Sequence, residues 1–204
     1  MCAAIVLHSK HKLAIIIHIL SDSELVQRCL KGDAQAQKQF YDRFAKRMLG
    51  VCYRYVQNVQ EAEDILQDGY IRAFRYMKDF RSEGSLEGWL RRIMVTTSLN
   101  FLKSQKNFRQ ETELNEAFEQ PGEITDALQR MENDEVMQLI QQLSPGYRAV
   151  LNLFAIEGYS HKEIGDLLNI TESTSRSQYT RAKQLLQKKI KEHFSFGITH
   201  ERSE

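Results

Sequence analysis

The sequence predicts an all-α protein with two small helical domains joined by an acidic linker. The chain of 204 residues contains only two prolines, and its apolar residues recur at helical spacing along most of its length. Alternating apolar and polar runs, which strands need, are scarce. A segment rich in acidic residues separates two stretches of helical pattern. This length suits two domains of modest size.

Residues 1–20 form an extension whose role the sequence does not define. Its apolar run, Leu13–Leu20, contains eight residues and leads into serine without a small-residue cleavage site. A membrane span needs about 20 apolar residues. One alternative for the protein is nevertheless a membrane-anchored signalling protein held by this run, which cell fractionation would detect.

Residues 21–105 are predicted to form a four-helix domain. Ser21 and Glu24 have the spacing of a capping box, and the second helix is expected to end near Val56. The third helix is expected over about 61–80 and the fourth after the polar turn 81–85. Their apolar stripes are Ala62, Ile65, Leu66, Gly69, Tyr70, Ala73, Phe74 and Met77 on the third helix, and Leu86, Trp89, Leu90, Ile93, Met94, Thr97 and Phe101 on the fourth.

The third helix carries a second stripe that points away from this core. It consists of Asp64, Gln67, Asp68, Ile71 and Arg75. Ile71 is the notable member, because it is an apolar residue on a face that the bundle does not use. Single exposed apolar residues are common, so this stripe is either a solvated face or a surface for a partner.

Residues 106–135 are predicted to be a solvated, flexible linker. Nine acidic residues stand between Glu111 and Glu135 against one basic residue, Arg130.

Residues 136–193 are predicted to form a helix-turn-helix domain, followed by a tail over 194–204. Ser160 and Glu163 have capping-box spacing, and Thr171 is placed to cap the next helix. Asn169 takes the sharp-turn position, since asparagine tolerates the left-handed conformation. Gly165 is expected where a second helix crosses closely.

The last helix is strongly basic, although the net charge of the whole chain is only +1. From Ser173 to Lys191 there are six basic residues and no acidic one. Short polar side chains at its start would let it enter a major groove, where arginine can bind guanine through two hydrogen bonds. The predicted DNA-binding residues are Thr171, Glu172, Ser173, Thr174, Arg176, Ser177, Thr180, Arg181 and Lys183. The alternative is a basic, solvated helix that closes a three-helix bundle.

The sequence offers no pattern for catalysis. It has no phosphate-binding glycine loop, no nucleophile–base pair and no cluster of metal ligands, so we expect no enzyme activity, cofactor, metal or small-molecule substrate. Cys2, Cys29 and Cys52 are far apart in sequence, which is typical of a protein in a reducing cytoplasm.

Several motifs resemble those of bacterial sigma factors. The segment 61–68 with Tyr70 and Phe74 resembles the second conserved region of that family, and 89–93 with Asn100 and Lys103 is similar to its promoter-opening helix. The segments 143–151 and 157–164 resemble the fourth region. The order of these motifs, without a first or third region, indicates the extracytoplasmic-function group. The chain departs from the family pattern with Thr96 for asparagine, Asn169 for glycine and Ser175 for valine.

The resemblance implies specific partners and site residues. Core RNA polymerase would bind the stripe that contains Ile71, and promoter DNA would bind both domains. Minus-ten recognition and strand opening would involve Arg81, Ser82, Arg92, Thr96, Asn100 and Lys103. The group also implies an anti-sigma factor, which can be membrane-bound. The main rival is an ordinary helix-turn-helix regulator that does not bind core polymerase.

Overall fold

The fold was analysed in a computed structural model that describes residues 20–105 and 133–200, with side chains described for 20–105 and 135–193. All regular structure in these two ranges is helical, as predicted. The extension before residue 20 and most of the predicted linker lie outside the described residues. No helix in the described ranges is long and apolar enough to cross a membrane.

Four helices form the first domain, here called region 2. They are α1 (Asp22–Leu30), α2 (Ala34–Tyr53), α3 (Val59–Tyr76) and α4 (Leu86–Ser104), with a 3₁₀ turn at Met77–Asp79 after α3. Each helix begins at a polar cap. The Ser21 hydroxyl accepts a hydrogen bond from the Glu24 amide, and the Glu24 carboxylate accepts one from the Ser21 amide, so the predicted capping box is confirmed.

The core of region 2 is aromatic at its centre. Phe40 is fully buried, and its ring meets the rings of Phe44, Tyr70 and Phe74 edge-on at centroid distances of 5.5–5.7 Å. The predicted stripe of α3 is confirmed as its packed face. Helix α4 differs from prediction, because it is buried on more than one side. It packs against both α2 and α3, so that Val95, Ser98, Leu99 and Leu102 are also buried. Of the predicted residues, Trp89, Ile93 and Phe101 are only half-buried.

The second domain, here called region 4, has four helices and one wide turn. They are α5 (Asn133–Gln141), α6 (Pro145–Leu151), α7 (His161–Leu168) and α8 (Glu172–His200), with a π-helical turn at Asn152–Ile156 between α6 and α7. The turn is closed by a hydrogen bond from the Glu157 amide to the Asn152 carbonyl at 2.9 Å. Helix α8 extends beyond the boundary predicted at residue 193.

The π-helical turn changes which residues face the core. The helical pattern predicts Val150, Leu151, Phe154 and Ala155 as inward residues. Ala155 is exposed, and Leu153 is fully buried instead. A turn with one extra residue shifts the apolar face by that residue, which a regular helical period does not anticipate.

The two regions pack against each other. Their apolar residues join in one buried cluster that includes Tyr55 and Val56 from region 2 and Val150 and Leu153 from region 4. Asn152, which is fully buried, donates a hydrogen bond to the Arg54 carbonyl at 2.7 Å. The side chain of Gln141 donates one to the Tyr53 carbonyl at 3.3 Å. Region 4 therefore rests on the C-terminal end of α2.

Candidate nucleic-acid interface

The turn between α7 and α8 has the geometry of a helix-turn-helix. Ser160 and Glu163 form the predicted capping box, and hydrogen bonds from Ser160 lower the pKa of the Glu163 carboxyl group. Asn169 adopts the left-handed conformation at φ 58° and ψ 47°, as predicted, and its backbone N–H donates a hydrogen bond to the Gly165 carbonyl. The hydroxyl of Thr171 accepts a hydrogen bond from the Thr174 amide at 3.0 Å and caps α8.

Gly165 is needed for close approach, both to the turn and to the start of the crossing helix α8. A Cβ atom at this position would lie 2.8 Å from the carbonyl oxygen of Ile170, which is inside van der Waals contact. The backbone of the turn passes directly over α7 at this point. The backbone nitrogen of Glu172, the first residue of α8, would lie 3.5 Å from the same Cβ atom, so the expectation of a closely crossing helix is confirmed at the start of α8.

A partly buried aromatic cluster supports the start of α8. The ring of His161 stacks on Phe154 with centroids 4.3 Å apart, and Tyr179 lies 4.5 Å from Phe154. Nδ1 of His161 lies 3.0 Å from the Ser175 hydroxyl, and Ser175 is fully buried. Burial lowers the pKa of His161, and the nearby Arg176 lowers it further. The sequence contained no signal for this cluster, because its members come from three separate elements.

The predicted inward face of α8 is largely confirmed. Ser175, Ala182, Leu186 and Ile190 are buried, and Tyr179 is half-buried. The helix therefore presents its other faces outward. Thr171, Glu172, Ser173, Arg176, Ser177 and Thr180 are exposed, while Thr174, Arg181 and Lys183 are partly buried.

Most of the short side chains on this exposed face are engaged with their own helix. Ser177 donates to the Thr174 carbonyl, and Thr180 donates to the Arg176 carbonyl, each at 3.0 Å. Arg176 is 64% exposed and forms an ion pair with Glu172 one turn earlier. The guanidinium group of Arg176 is therefore exposed to solvent, beside a surface made of small side chains.

The second stripe of α3 is exposed along its whole length. Asp64, Gln67, Asp68, Ile71 and Arg75 are all accessible, and Ile71 is 57% exposed. The structure thus assembles the predicted polymerase-facing residues on one surface. An apolar side chain flanked by two carboxylates on one side and a guanidinium on the other can bury area against a partner that has basic groups.

The outer face of α4 combines charge with polar side chains. Arg92, Thr96 and Asn100 are exposed, and Lys103 is half-buried. The Thr96 hydroxyl donates to the Arg92 carbonyl at 2.9 Å, so at rest it serves its own helix.

A pocket lies between the start of α4 and the loop that precedes it. Its volume is about 400 Å³, and its walls include Phe80, Arg81, Ser85, Trp89 and Arg92. The rings of Phe80 and Trp89 lie 5.5 Å apart. An aromatic wall with two guanidinium groups can hold a flat ring by stacking and bind the attached phosphates.

The loop beside this pocket contains Ser82, which is exposed and has a φ of 57°. A non-glycine residue in the left-handed region is uncommon and occurs often at functional sites. The structure therefore brings predicted residues of the loop and of α4 together at one pocket. The exposed stripe of α3 and the exposed face of α8 form two further, separate surfaces.

Sequence reasoning missed one cluster of charged groups. The Glu157 carboxylate in region 4 accepts hydrogen bonds from Arg54 on one side and from Arg91 on the other. The carboxylate is only 5% exposed, and its partners are 15% and 36% exposed, respectively. The hydrogen bonds to this carboxylate, together with its charge, raise the pKa of Arg91. Arg91 and Arg54 lie 66 and 103 positions before Glu157 in the sequence, so the spacing of charged residues did not predict this cluster.

Both regions match models of known protein families. The family model described as Sigma-70 region 2 matches residues 40–108, and the model described as Sigma-70, region 4 matches residues 133–186. Together they cover more than half of the chain.

Curated relatives match over most of their length. The RNA polymerase sigma-H factor of Pseudomonas aeruginosa is 29% identical over 180 residues, which are 83% of this chain and 93% of that protein. The ECF RNA polymerase sigma-E factor of Haemophilus influenzae is 27% identical over 186 residues, covering 84% and 96% of the two chains.

Two solved structures are also similar. One is the sigma factor RpoE in complex with the anti-sigma factor NepR from Bartonella quintana, with a TM-score of 0.49 and 20% identity over 76% of this chain and 96% of that one. The other is CnrH in complex with the cytosolic domain of CnrY, with a TM-score of 0.43 and 20% identity over 79% and 92% of the two chains. The two family models, in their order along the chain, and the curated relatives show that this protein belongs to the extracytoplasmic-function group of the sigma-70 family of transcription initiation factors.

Proposed function

We propose that this chain binds core RNA polymerase and directs it to specific promoters to start transcription. The observation that carries the proposal is the presence, in one chain, of an exposed apolar–acidic face on α3 and a complete helix-turn-helix in region 4. The first surface suits a protein partner and the second suits DNA. An ordinary regulator would need the second surface only.

Each surface has a proposed role. The stripe around Ile71 binds core polymerase. The pocket lined by Arg81 and Trp89, beside Ser82 of the same loop, receives a base of the opened minus-ten element, and the outer face of α4 holds the adjoining strand. The exposed start of α8, centred on Arg176, reads the upstream promoter element.

The proposal also covers the location of the chain in the cell and a third partner. The chain is expected to act in the cytoplasm, where polymerase and promoter DNA are found, and to have no enzyme activity of its own. An anti-sigma factor that covers one or more of these surfaces is the third proposed partner, supported by the membership of the chain in this group.

Transcription in vitro tests the central proposal. Purified chain and core polymerase should together start transcription at promoters selected from a fragmented genome of the source organism, and neither component should do so alone. Binding of the chain to the same fragments in the absence of polymerase, without any transcript in its presence, would favour the ordinary regulator.

Charge reversal on α3 tests the polymerase surface. Asp64→Lys with Asp68→Lys should abolish co-purification with core polymerase, because the partner's basic groups would then face lysine. Two single reversals allow a matched comparison. Asp68→Lys should weaken binding to core polymerase, whereas Asp42→Lys, at an exposed position of α2, should not. Circular dichroism should show unchanged helix content in all variants. Equal binding by Asp68→Lys and Asp42→Lys would refute the assignment.

A further inference from the structure

The two helices of the helix-turn-helix are joined by a buried polar pair away from the turn. His161 is the first residue of α7, and Ser175 lies at the end of the first turn of α8. Nδ1 of His161 and the Ser175 hydroxyl are 3.0 Å apart, which is hydrogen-bond distance. Ser175 is fully buried, and His161 is only 9% exposed. We call these two residues the His161–Ser175 pair.

The pair gives α8 a second point of attachment to α7. The first point is the turn, where the backbone N–H of Ile170 donates a hydrogen bond to the Gly165 carbonyl at 3.0 Å. A connection at the turn alone would allow α8 to pivot about it. His161 lies one helical turn before Gly165, about 6 Å along the axis of α7. Two separate points of attachment fix the angle between the two helices.

The ring of His161 is itself held by aromatic neighbours. It stacks on Phe154 with centroids 4.3 Å apart and planes at 10°, and the ring of Tyr179 lies 5.8 Å away at 60°. Phe154 belongs to the π-helical turn, and Tyr179 stands one turn after Ser175 on α8. Because hydrogen bonds are directional, a ring in a fixed orientation determines the direction of Ser175 as well as its distance.

A polar pair at this place is not needed for packing. Two apolar side chains of similar shape would pack there without the cost of removing polar groups from water. In the family pattern valine stands at the position of Ser175, and valine packs without a directional bond. The distinctive contribution of the pair is therefore orientation.

Arg176, the proposed base-reading residue, directly follows Ser175. Successive side chains leave a helix about 100° apart, so Ser175 faces the core of region 4 while Arg176 faces outward. The hydrogen bonds of a guanidinium group lose most of their strength when the donor is displaced by about 1 Å. A small rotation of α8 about the turn would therefore be enough to disturb base reading.

We propose that the His161–Ser175 pair holds α8 at the angle that lets Arg176 reach a base edge in the upstream promoter element. His161 and Ser175 are positioning residues, because they act on DNA through Arg176. This inference rests on the proposed function, since it takes α8 as the helix that reads the promoter. It adds that base discrimination depends on a hydrogen bond inside the protein.

A double-mutant cycle tests the pair without DNA. Ser175→Ala and His161→Phe each remove one partner and leave the other polar group buried and unpaired. The double variant keeps a ring beside Phe154 and leaves neither group unpaired. It should therefore unfold at a higher urea concentration than either single variant, as followed by circular dichroism. Simple addition of the two single effects would show that the bond is absent.

Promoter discrimination tests the positioning role. Each variant is combined with core polymerase, and transcription is measured at promoters in which the base pairs of the upstream element are replaced one at a time. An arginine–guanine contact discriminates by about 5- to 150-fold. Ser175→Ala and the double variant should each lower discrimination by about threefold or more at the base pair that Arg176→Ala affects. A purely structural pair predicts instead that the double variant regains discrimination together with stability.

Ile190→Val is the matched control. Ile190 is buried about four turns after Ser175 on the same helix, and its loss of one methyl group destabilises region 4 while the pair stays intact. Its discrimination should stay within about twofold of that of the unmodified chain, because distant sites act independently.

Three results would overturn the proposal. They are additive effects in the urea cycle, recovery of discrimination in the double variant, and an equal loss of discrimination in Ile190→Val. Absence of transcription by the unmodified chain with core polymerase would instead refute the proposed function. The urea cycle would then still decide whether the His161–Ser175 pair forms.

Discussion

Gly165 offers the sharpest test of the helix-turn-helix geometry. A glycine-to-alanine substitution inside a helix normally stabilises a protein by about 1 kcal/mol. At Gly165 the added methyl group would lie 2.8 Å from the Ile170 carbonyl oxygen, a backbone atom that cannot rotate away. Forcing extra volume into a packed site costs about 1–3 kcal/mol. Gly165→Ala should therefore destabilise region 4 by up to about 2 kcal/mol, despite its better helix propensity.

The same substitution at Gly50 is the matched control. Gly50 lies in α2, is exposed, and has no atom within 4 Å of the position of an added Cβ. Gly50→Ala should stabilise region 2 by about 0.5–1 kcal/mol. The two identical chemical changes should thus have opposite signs.

Urea unfolding separates the two effects. Circular dichroism follows the helices of both regions, whereas the fluorescence of Trp89, the only tryptophan, reports on region 2. Gly165→Ala should move the dichroism transition to lower urea concentration, and it should also weaken promoter binding because the turn positions α8. An increase in stability for Gly165→Ala, similar to that for Gly50→Ala, would refute the close approach of the turn to α7.

Three further predictions concern DNA binding and pH. Arg176→Ala should cost about 1–3 kcal/mol at the cognate promoter and relax the preference at one base pair; a uniform loss across promoter variants in a binding assay would make Arg176 a phosphate contact instead. Alanine at Arg92 and Lys103 should reduce the slope of log affinity against log salt by about 0.7–0.9 per residue, and an unchanged slope would show that this face is merely solvated. The lowered pKa of His161 means that the folded state resists protonation of this ring. Its contribution to thermal stability should therefore be fully present above about pH 6.5 and should be lost progressively as the pH falls below that value. In His161→Gln this part of the decline should be absent, and an equal decline in the variant would assign it to other groups.

Local patterns predicted much of this fold because local physics determines it. The apolar stripe of α3 and the inward face of α8 follow from helical periodicity alone. The turn at Asn169 follows from the tolerance of asparagine for the left-handed conformation. Capping boxes at Ser21 and Ser160 are also local, since they involve residues three positions apart.

Contacts between distant segments could not be predicted in this way. The burial of α4 on several sides depends on what packs around it, and its sequence shows only a modest asymmetry. The stacking of His161 on Phe154 and the ion pairs of Glu157 with its two arginines each require elements that meet only in the folded chain. Most candidate DNA and polymerase residues were accessible to sequence reasoning because exposed faces of single helices carry them, whereas Arg81 and Ser82, in the loop before α4, followed from the family resemblance.

The π-helical turn accommodates one more residue between Asn152 and Glu157 than an ordinary helical turn does. Each residue of an α-helix advances the direction of the side chain by about 100°. The wide turn takes up this rotation, because its hydrogen bond joins residues that are five positions apart instead of four. Deleting one residue from Asn152–Ile156 would therefore restore an ordinary turn and leave Glu157 one turn after Asn152, near Arg54 and Arg91. Relatives that lack this one residue should keep the contact between the two regions, whereas a second deletion would rotate Glu157 away from its two arginines.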